Sequence, residues 1–139
     1  MTINIKNFLS DKNKVSRMGE FQTLKQIEGL EMSSISADLY GDGRDDLALF
    51  YFSKGANYAS LTTTNSITSE FIPWNNSSHK KIIKGLLVNT KNANTFTGKQ
   101  GKESIDIIAK NLSRILTIKE SKSQKGTSET VKIKDLIFA

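Results

Sequence analysis

The string VNTKNANTFTG, Val88–Gly98, constrains this chain more than any other stretch. Three Asn, three Thr and one Gly fall between two well-patterned segments. Before them, KGLLVNT, Lys84–Thr90, is an apolar run of strand length. After them comes the clearest helical periodicity in the chain, from Lys102 to Ile118. Ile105, Ile108, Leu112, Ile115 and Leu116 repeat at the spacing of one apolar face, while Lys102, Asp106, Lys110 and Arg114 can face water. Asn and Thr side chains bond back to the main chain and hold turns. A rigid polar loop at the carboxyl end of a buried strand is also a common place for a ligand. The residues alone support both readings.

A second unusual string is ADLYGDGRDDLALF, Ala37–Phe50. Asp38, Asp42 and Asp46 sit four apart, Gly41 and Gly43 permit a sharp turn, and an apolar run follows. Calcium loops place oxygen ligands at alternate positions. Asp38 and Asp42 fit positions one and five, but Tyr40 occupies position three. Leu49 stands where an EF-hand needs a bidentate Glu, so that motif fails. A loop of the integrin-propeller type stays compatible, although those occur in repeats and this chain has none. The other reading is a turn that feeds a buried strand.

The remaining elements are coarser. Strands are expected near 31–38, 46–53, 57–64, 85–90 and 131–138, with Gly55 ending the second and PWNNSS, Pro73–Ser78, as a loop. A helix over 102–118 would cover the sheet, and KESKSQKGTSET, Lys119–Thr130, reads as a charged loop. The chain closes on the apolar LIFA, which is unusual for a free terminus. The expected class is α/β, one domain over residues 1–139.

The absence of cysteine excludes a disulfide scaffold, thiolate metal site or cysteine nucleophile. His79 is the only histidine, in the polar NNSSHKK, so a His-rich zinc site is excluded and a Ser–His–Asp arrangement is disfavoured. Thr62, Thr63 and Thr64 read as strand residues rather than nucleophiles. GKQGKES, Gly98–Ser104, lacks the first glycine of a phosphate loop, whose place Phe96 takes. No stretch has the length of a membrane span, and cytoplasm is the default compartment. Charge is uneven: residues 1–78 carry a net −2 and residues 79–139 a net +8. With only Phe96 and Phe138 as aromatics in the basic half, a solvated surface is preferred over a nucleic-acid face. The rival readings are a calcium module built on Asp38, Asp42 and Asp46, and a nucleic-acid binder using Lys132 and Lys134.

Taken in order, DLAL (Asp46–Leu49), LTTTN (Leu61–Asn65) and VNTKNANTFTGKQG (Val88–Gly101) resemble the ornithine acetyltransferase family of arginine biosynthesis. The family pattern has a DLAL strand, an AGVFTTN-like segment and VNSGNANACTGxxG before a helix. The resemblance spans roughly Ile27–Ala139. It implies that Ala37–Phe50 is a turn into a core strand, and that Asn92, Asn94, Thr97 and Gly98 form a structural loop near the site. It further implies a layered α/β sandwich of which this chain is the N-terminal part, cut off in mid-fold. The parent would move acetyl from N-acetylornithine to glutamate, with acetyl-CoA as a further donor in some members. It would need no cofactor and no metal, and would bind neither nucleic acid nor membrane.

In the family, a precursor cleaves itself before a Thr that becomes the nucleophile of the second, β chain, and the two chains form a heterotetramer. A Thr-Gly pair in an S-T-G segment stabilises the oxyanion. The segment matching KDLIFA leads into S-T-G, which is absent here, as is the cleavage Thr. No catalytic residue is carried onto this chain, and the expectation is a fragment inactive by itself. Thr97 and Gly98 belong to the Asn-rich loop and are not the oxyanion pair.

Overall fold

The computed structural model describes residues 25–39, 41–77, 82–90, 93–123 and 130–139. Its described strands form one four-stranded sheet in chain order, β1 (Leu30–Ile35), β2 (Leu47–Asn57), β3 (Ile82–Asn89) and β4 (Leu136–Phe138). The first three are antiparallel, and β4 runs parallel to β3. Helix α1 (Phe71–Ser77) lies between β2 and β3 in the chain, and α2 (Gly98–Ser123) joins β3 to β4. A short 3-10 turn, Ile133–Asp135, leads into β4. The mixed α/β sheet with its covering helix is as expected.

Strand alternation sorts the side chains into two faces. The rows Glu31–Tyr51–Gly85–Leu136 and Ser33–Leu49–Leu87–Phe138 share one face. That face carries the core. Tyr51, Leu136 and Phe138 cluster with Ile105, Ala109 and Leu116 of α2 and with Val131, and Phe71 and Trp74 of α1 pack beside them. Phe71 stacks on Phe138 at 6.0 Å between ring centroids, and Trp74 meets the same ring edge-on at 5.7 Å. The opposite face holds the row Met32–Phe50–Leu86–Ile137 and the row Ser34–Ala48–Val88. Only Ile137 is buried there, and Met32 is half exposed.

Several boundaries differ from the sequence reading, each for a local reason. Gly55 does not end β2. The strand continues through it to Asn57 with a register shift between Tyr51 and Ala56. Gly55 has φ +74°, and a Cβ there would stand 2.6 Å from Ile82 Cγ2, so a bulge replaces a break. Residues 58–65 form no strand; Leu61 is fully exposed, and Thr63 and Asn65 bond forward to Asn65 N and Ile67 N in local turns. Pro73–Ser77, expected as part of a loop, belongs to the helix Phe71–Ser77, and Ser78 lies outside the described residues. Residues 131–135 are not strand, and β4 keeps only Leu136–Phe138. Helix α2 runs four residues earlier and five later than expected.

The late turn of α2 is held by a buried polar cluster. The Tyr51 hydroxyl donates to Glu120 Oε1 at 2.7 Å, and Lys84 Nζ donates to the same oxygen at 3.1 Å and to the Ser53 carbonyl at 2.9 Å. Glu120 is buried and Lys84 nearly so. Lys119 lies 5.4 Å from the centre of the Tyr51 ring and pairs with Glu31 at 2.8 Å. The bulge is tied in too: Ser53 N donates to the Gly29 carbonyl at 2.9 Å, and Lys54 pairs with exposed Glu28. The hydrogen bond from Lys54, and then its charge, hold the Glu28 carboxyl below its usual range.

A buried ion with one partner removed costs more than an apolar replacement of both. Lys84→Met should therefore lower stability by about 1–3 kcal/mol. The double variant Lys84→Met/Glu120→Leu should recover most of that loss. Urea denaturation of the three chains checks it; a double variant weaker than the single one by a full additive step would refute it.

Candidate functional site

The segment β3–α2–β4 is a crossover between adjacent parallel strands, which places the carboxyl ends of both strands together. Ligands of α/β sheets bind beyond such ends. Here Asn89 N donates to the Ala139 carbonyl at 2.7 Å, and Ala139 N donates to the Leu87 carbonyl at 3.0 Å. Thr90 N donates to the Asp46 carbonyl at 2.8 Å, and the Thr90 hydroxyl donates to the same oxygen at 3.3 Å. The end of β3 is thus locked between the start of β2 and the end of β4.

The Asn-rich loop closes this end. Asn92 lies outside the described residues. The Asn94 carbonyl accepts Glu70 N at 2.9 Å, and Ser69 and Thr95 form an isolated bridge, so the loop is paired with the entry to α1. The Thr97 hydroxyl donates to Asn94 Oδ1, and Gly101 N donates to the Thr97 carbonyl at 3.3 Å. Gly98, with φ +52°, starts α2. Gly101 is buried beneath the Asn94–Thr97 pair. A Cβ on it would stand 2.6 Å from Asn94 Oδ1 and overlap Thr97 Oγ1. The glycine spacing of NTFTGKQG therefore serves close packing of loop on helix. Asn94, Thr97 and Gly98 lie together at the turn into α2, where the Asn94 and Thr97 side chains pair over Gly101.

Two further residues belong to this end. Asn75 of α1 donates through Nδ2 to the Phe138 carbonyl at 2.7 Å and accepts Phe138 N on Oδ1 at 3.0 Å. Its amide replaces a neighbouring strand on the outer edge of β4. Phe96, with φ +61°, is 82 % exposed at the loop's tip. Sequence reasoning missed Asn75, because its partner lies 63 residues away and no pattern marks the pair. α2 begins here with no acidic residue in its first turn, and peptide dipoles favour an anion at a helix start. The arrangement can orient a small polar or anionic group. His79, the only histidine of the sequence, lies outside the described residues.

Two of the three spaced aspartates of the second string, Asp42 and Asp46, are engaged by the protein through their carboxylates. Asp46 is buried; its Oδ1 accepts Ala37 N at 2.6 Å and its Oδ2 accepts Leu39 N at 3.0 Å. Asp42 takes Arg44 in a two-point contact, at 3.0 and 2.7 Å. Asp38 lies in the turn with φ +55°. Asp46 therefore folds the turn onto β2 rather than presenting oxygens to an ion, which corrects the calcium alternative. Among the described residues, no group of three or more acidic or His side chains is placed to hold a metal. No helix there is long and apolar enough to cross a membrane.

This fold is that of the ornithine acetyltransferases. It matches the structure of Mycobacterium tuberculosis ornithine acetyltransferase complexed with ornithine, with a TM-score of 0.67, 18 % identity, 81 % of this chain and 55 % of that one. It also matches an arginine biosynthesis bifunctional protein of Bacillus halodurans, with a TM-score of 0.58, 17 % identity, and 81 % and 52 % of the two chains. In sequence, the ArgJ family matches residues 31–130. The arginine biosynthesis bifunctional protein of Zymomonas mobilis is 34 % identical over 86 residues, 61 % of this chain and 21 % of that protein. Its counterpart in Bartonella quintana is 29 % identical over 101 residues, 72 % and 24 % of the two. The chain belongs to the ArgJ family, and it spans about a fifth to a quarter of the curated relatives it matches.

Asp46→Ala should destabilise the chain by about 1–3 kcal/mol, because two part-buried backbone N–H groups lose their acceptor. Millimolar calcium should leave the melting temperature of the unaltered chain unchanged. Thermal melts with and without calcium check both; a saturable calcium-dependent rise would restore the ion site.

Proposed function

We propose that this chain is the N-terminal part of a glutamate N-acetyltransferase that moves acetyl from N-acetylornithine to glutamate in arginine biosynthesis. The observation that carries the reading is the family match over residues 31–130, together with the Asn-rich loop lying at the shared carboxyl ends of β3 and β4. The reaction needs a nucleophilic hydroxyl that attacks the acetyl carbonyl and releases the ornithine amine. The acyl-enzyme then passes its acetyl to the amine of glutamate. Two donors must also hold the oxyanion of each tetrahedral intermediate. In this reading the cleavage Thr and the S-T-G segment of the family pattern lie outside these 139 residues. Nucleophile and oxyanion hole are therefore assigned to polypeptide outside this chain, a β chain from the same precursor, assembled as a heterotetramer in the cytoplasm. Acetyl-CoA is a further donor to test. Asn94, Thr97 and Gly98 shape the rim from this side in this reading.

The second sheet face supports the same division. The row Met32–Phe50–Leu86–Ile137 crosses all four strands, yet only Ile137 is buried. A sheet with helices on one face gains its remaining stability by packing a second layer on the other. In this reading that layer comes from the rest of the enzyme.

The purified 139-residue chain should transfer no acetyl from N-acetylornithine to glutamate. Co-expression with the C-terminal three quarters of a relative, such as the Zymomonas mobilis protein, should restore measurable transfer. Phe50→Asp should abolish that restoration. Turnover by the chain alone would sink the assignment of the nucleophile. Restoration indifferent to Phe50→Asp would sink the role of the sheet face.

A further inference from the structure

One face of the short helix α1 grips the end of β4. Phe71, Trp74 and Asn75 share that face at the i, i+3, i+4 spacing. Phe71 and Trp74 close on the Phe138 ring from the core side. Asn75 takes the main chain of the same residue. The entry to α1 is tied to the Asn-rich loop, because Glu70 N donates to the Asn94 carbonyl at 2.9 Å and Ser69 bridges Thr95. A single helix thereby connects the loop to the end of the neighbouring strand.

β4 needs such a grip. It has only 3 residues, and among the described strands its one neighbour is β3. Successive residues of a strand aim their main-chain groups at opposite edges of the sheet. Ala139 spends its N–H on the Leu87 carbonyl and its carbonyl on Asn89 N, both in β3. Phe138, one residue earlier, therefore presents its N–H and C=O to the outer edge. Asn75 Oδ1 accepts that N–H at 3.0 Å, and Asn75 Nδ2 donates to that carbonyl at 2.7 Å. A side-chain amide can make both bonds at once, whereas a carboxylate can only accept. Asn75 holds the end of β4 on the edge that β3 does not reach. Without it, the last residues of a very short strand would hang from one edge and fray.

We propose that Asn75 is a positioning residue for acetyl transfer. It fixes the end of β4 and, through α1, keeps that end in register with the Asn-rich loop, so that groups presented beyond the strand ends hold their aim. This rests on the acetyltransferase reading, in which the reacting acetyl lies beyond those ends. Donors that stabilise an oxyanion work only when they are already in place. A displacement of about 1 Å, caused far from the reacting atoms, can cost about a hundredfold in rate. Loosening the strand end misaligns the chemical step, so the loss falls on kcat rather than on KM.

Two measurements test this. In the 139-residue chain, hydrogen exchange is followed at the Phe138 amide. Asn75→Leu should speed that exchange roughly tenfold or more. Asn75→Asp keeps the acceptor and should speed it less. The Leu49 amide of β2 should not change, which shows that the sheet is folded. In chains assembled with the C-terminal part of the Zymomonas mobilis relative, Asn75→Leu should lower kcat roughly tenfold or more and leave KM within about twofold. Asn75→Asp should fall between, and Asn76→Leu, a control on the same helix, should match the unaltered chain. Unchanged exchange at Phe138, unchanged kcat, or a rise in KM alone would overturn the proposal. Exchange that quickens equally at Leu49 and Phe138 would overturn it too, since Asn75 would then only support the fold. No transfer by the unaltered assembly, with Phe138 still released by Asn75→Leu, would sink the acetyltransferase reading and the positioning role with it, and leave the clamp standing.

Discussion

Gly85 is the position on which the packing turns. It pairs with Tyr51 on one side and Leu136 on the other, at the centre of the helix-covered face. A Cβ there would stand 2.8 Å from Leu136 Cδ2 and 3.4 Å from Leu116 Cδ1. The missing side chain lets α2 settle onto the sheet. Glu120 follows Leu116 by one helical turn on the same face, and so comes within reach of the Tyr51 hydroxyl and Lys84. The same contact seats β4 beside β3 in a register that brings Phe138 under Phe71 and Trp74. One residue without a side chain thereby links the covering helix, the parallel strand and the small helix.

Element types were readable in this sequence where the pattern was long, and packing partners were not. The periodicity from Lys102 to Ile118 announced α2, but the buried seam is Ile105, Ala109, Leu116 and Glu120, with Leu112 partly buried. Ile108 and Ile115, which share the apolar spacing, are 43 % and 56 % exposed. The helix carries more isoleucine than one face can bury, and the choice among stripes is made by Gly85 and Tyr51, far off in sequence. Glu120 looks like a surface residue until Tyr51 and Lys84 are placed beside it. The threonines of 61–65 have high β propensity, but propensity supplies no partner strand, and local turns win there. Gly55 reads as a breaker because a bulge and a break share the same residue.

The candidate site shows the same split. The polar Asn-rich string reads in sequence as either a turn or a ligand loop, and GKQGKES after it reads as a helix start, which α2 is from Gly98. That Gly101 exists to receive the Asn94–Thr97 pair follows only from the packed loop. The four-residue spacing of Asp38, Asp42 and Asp46 looked like an ion site because acidic turns and ion loops draw on the same residues. Burial separates them: Asp46 turns inward to two backbone N–H groups.

Both ends of the proposed enzyme's chemistry meet at one physical boundary. The strand ends that carry the Asn-rich loop are the ends of the two strands whose other face holds Leu86, Val88 and Ile137. Phe138 closes the core on one face while its neighbour Ile137 points to the other. A second layer seated on that face would press on the residues that position the loop. Completing the core and completing the site are then one packing event in the proposed assembly. A change such as Phe50→Asp, remote from any reacting atom, would act on turnover through the rigidity of Asn94, Thr97 and the end of β4.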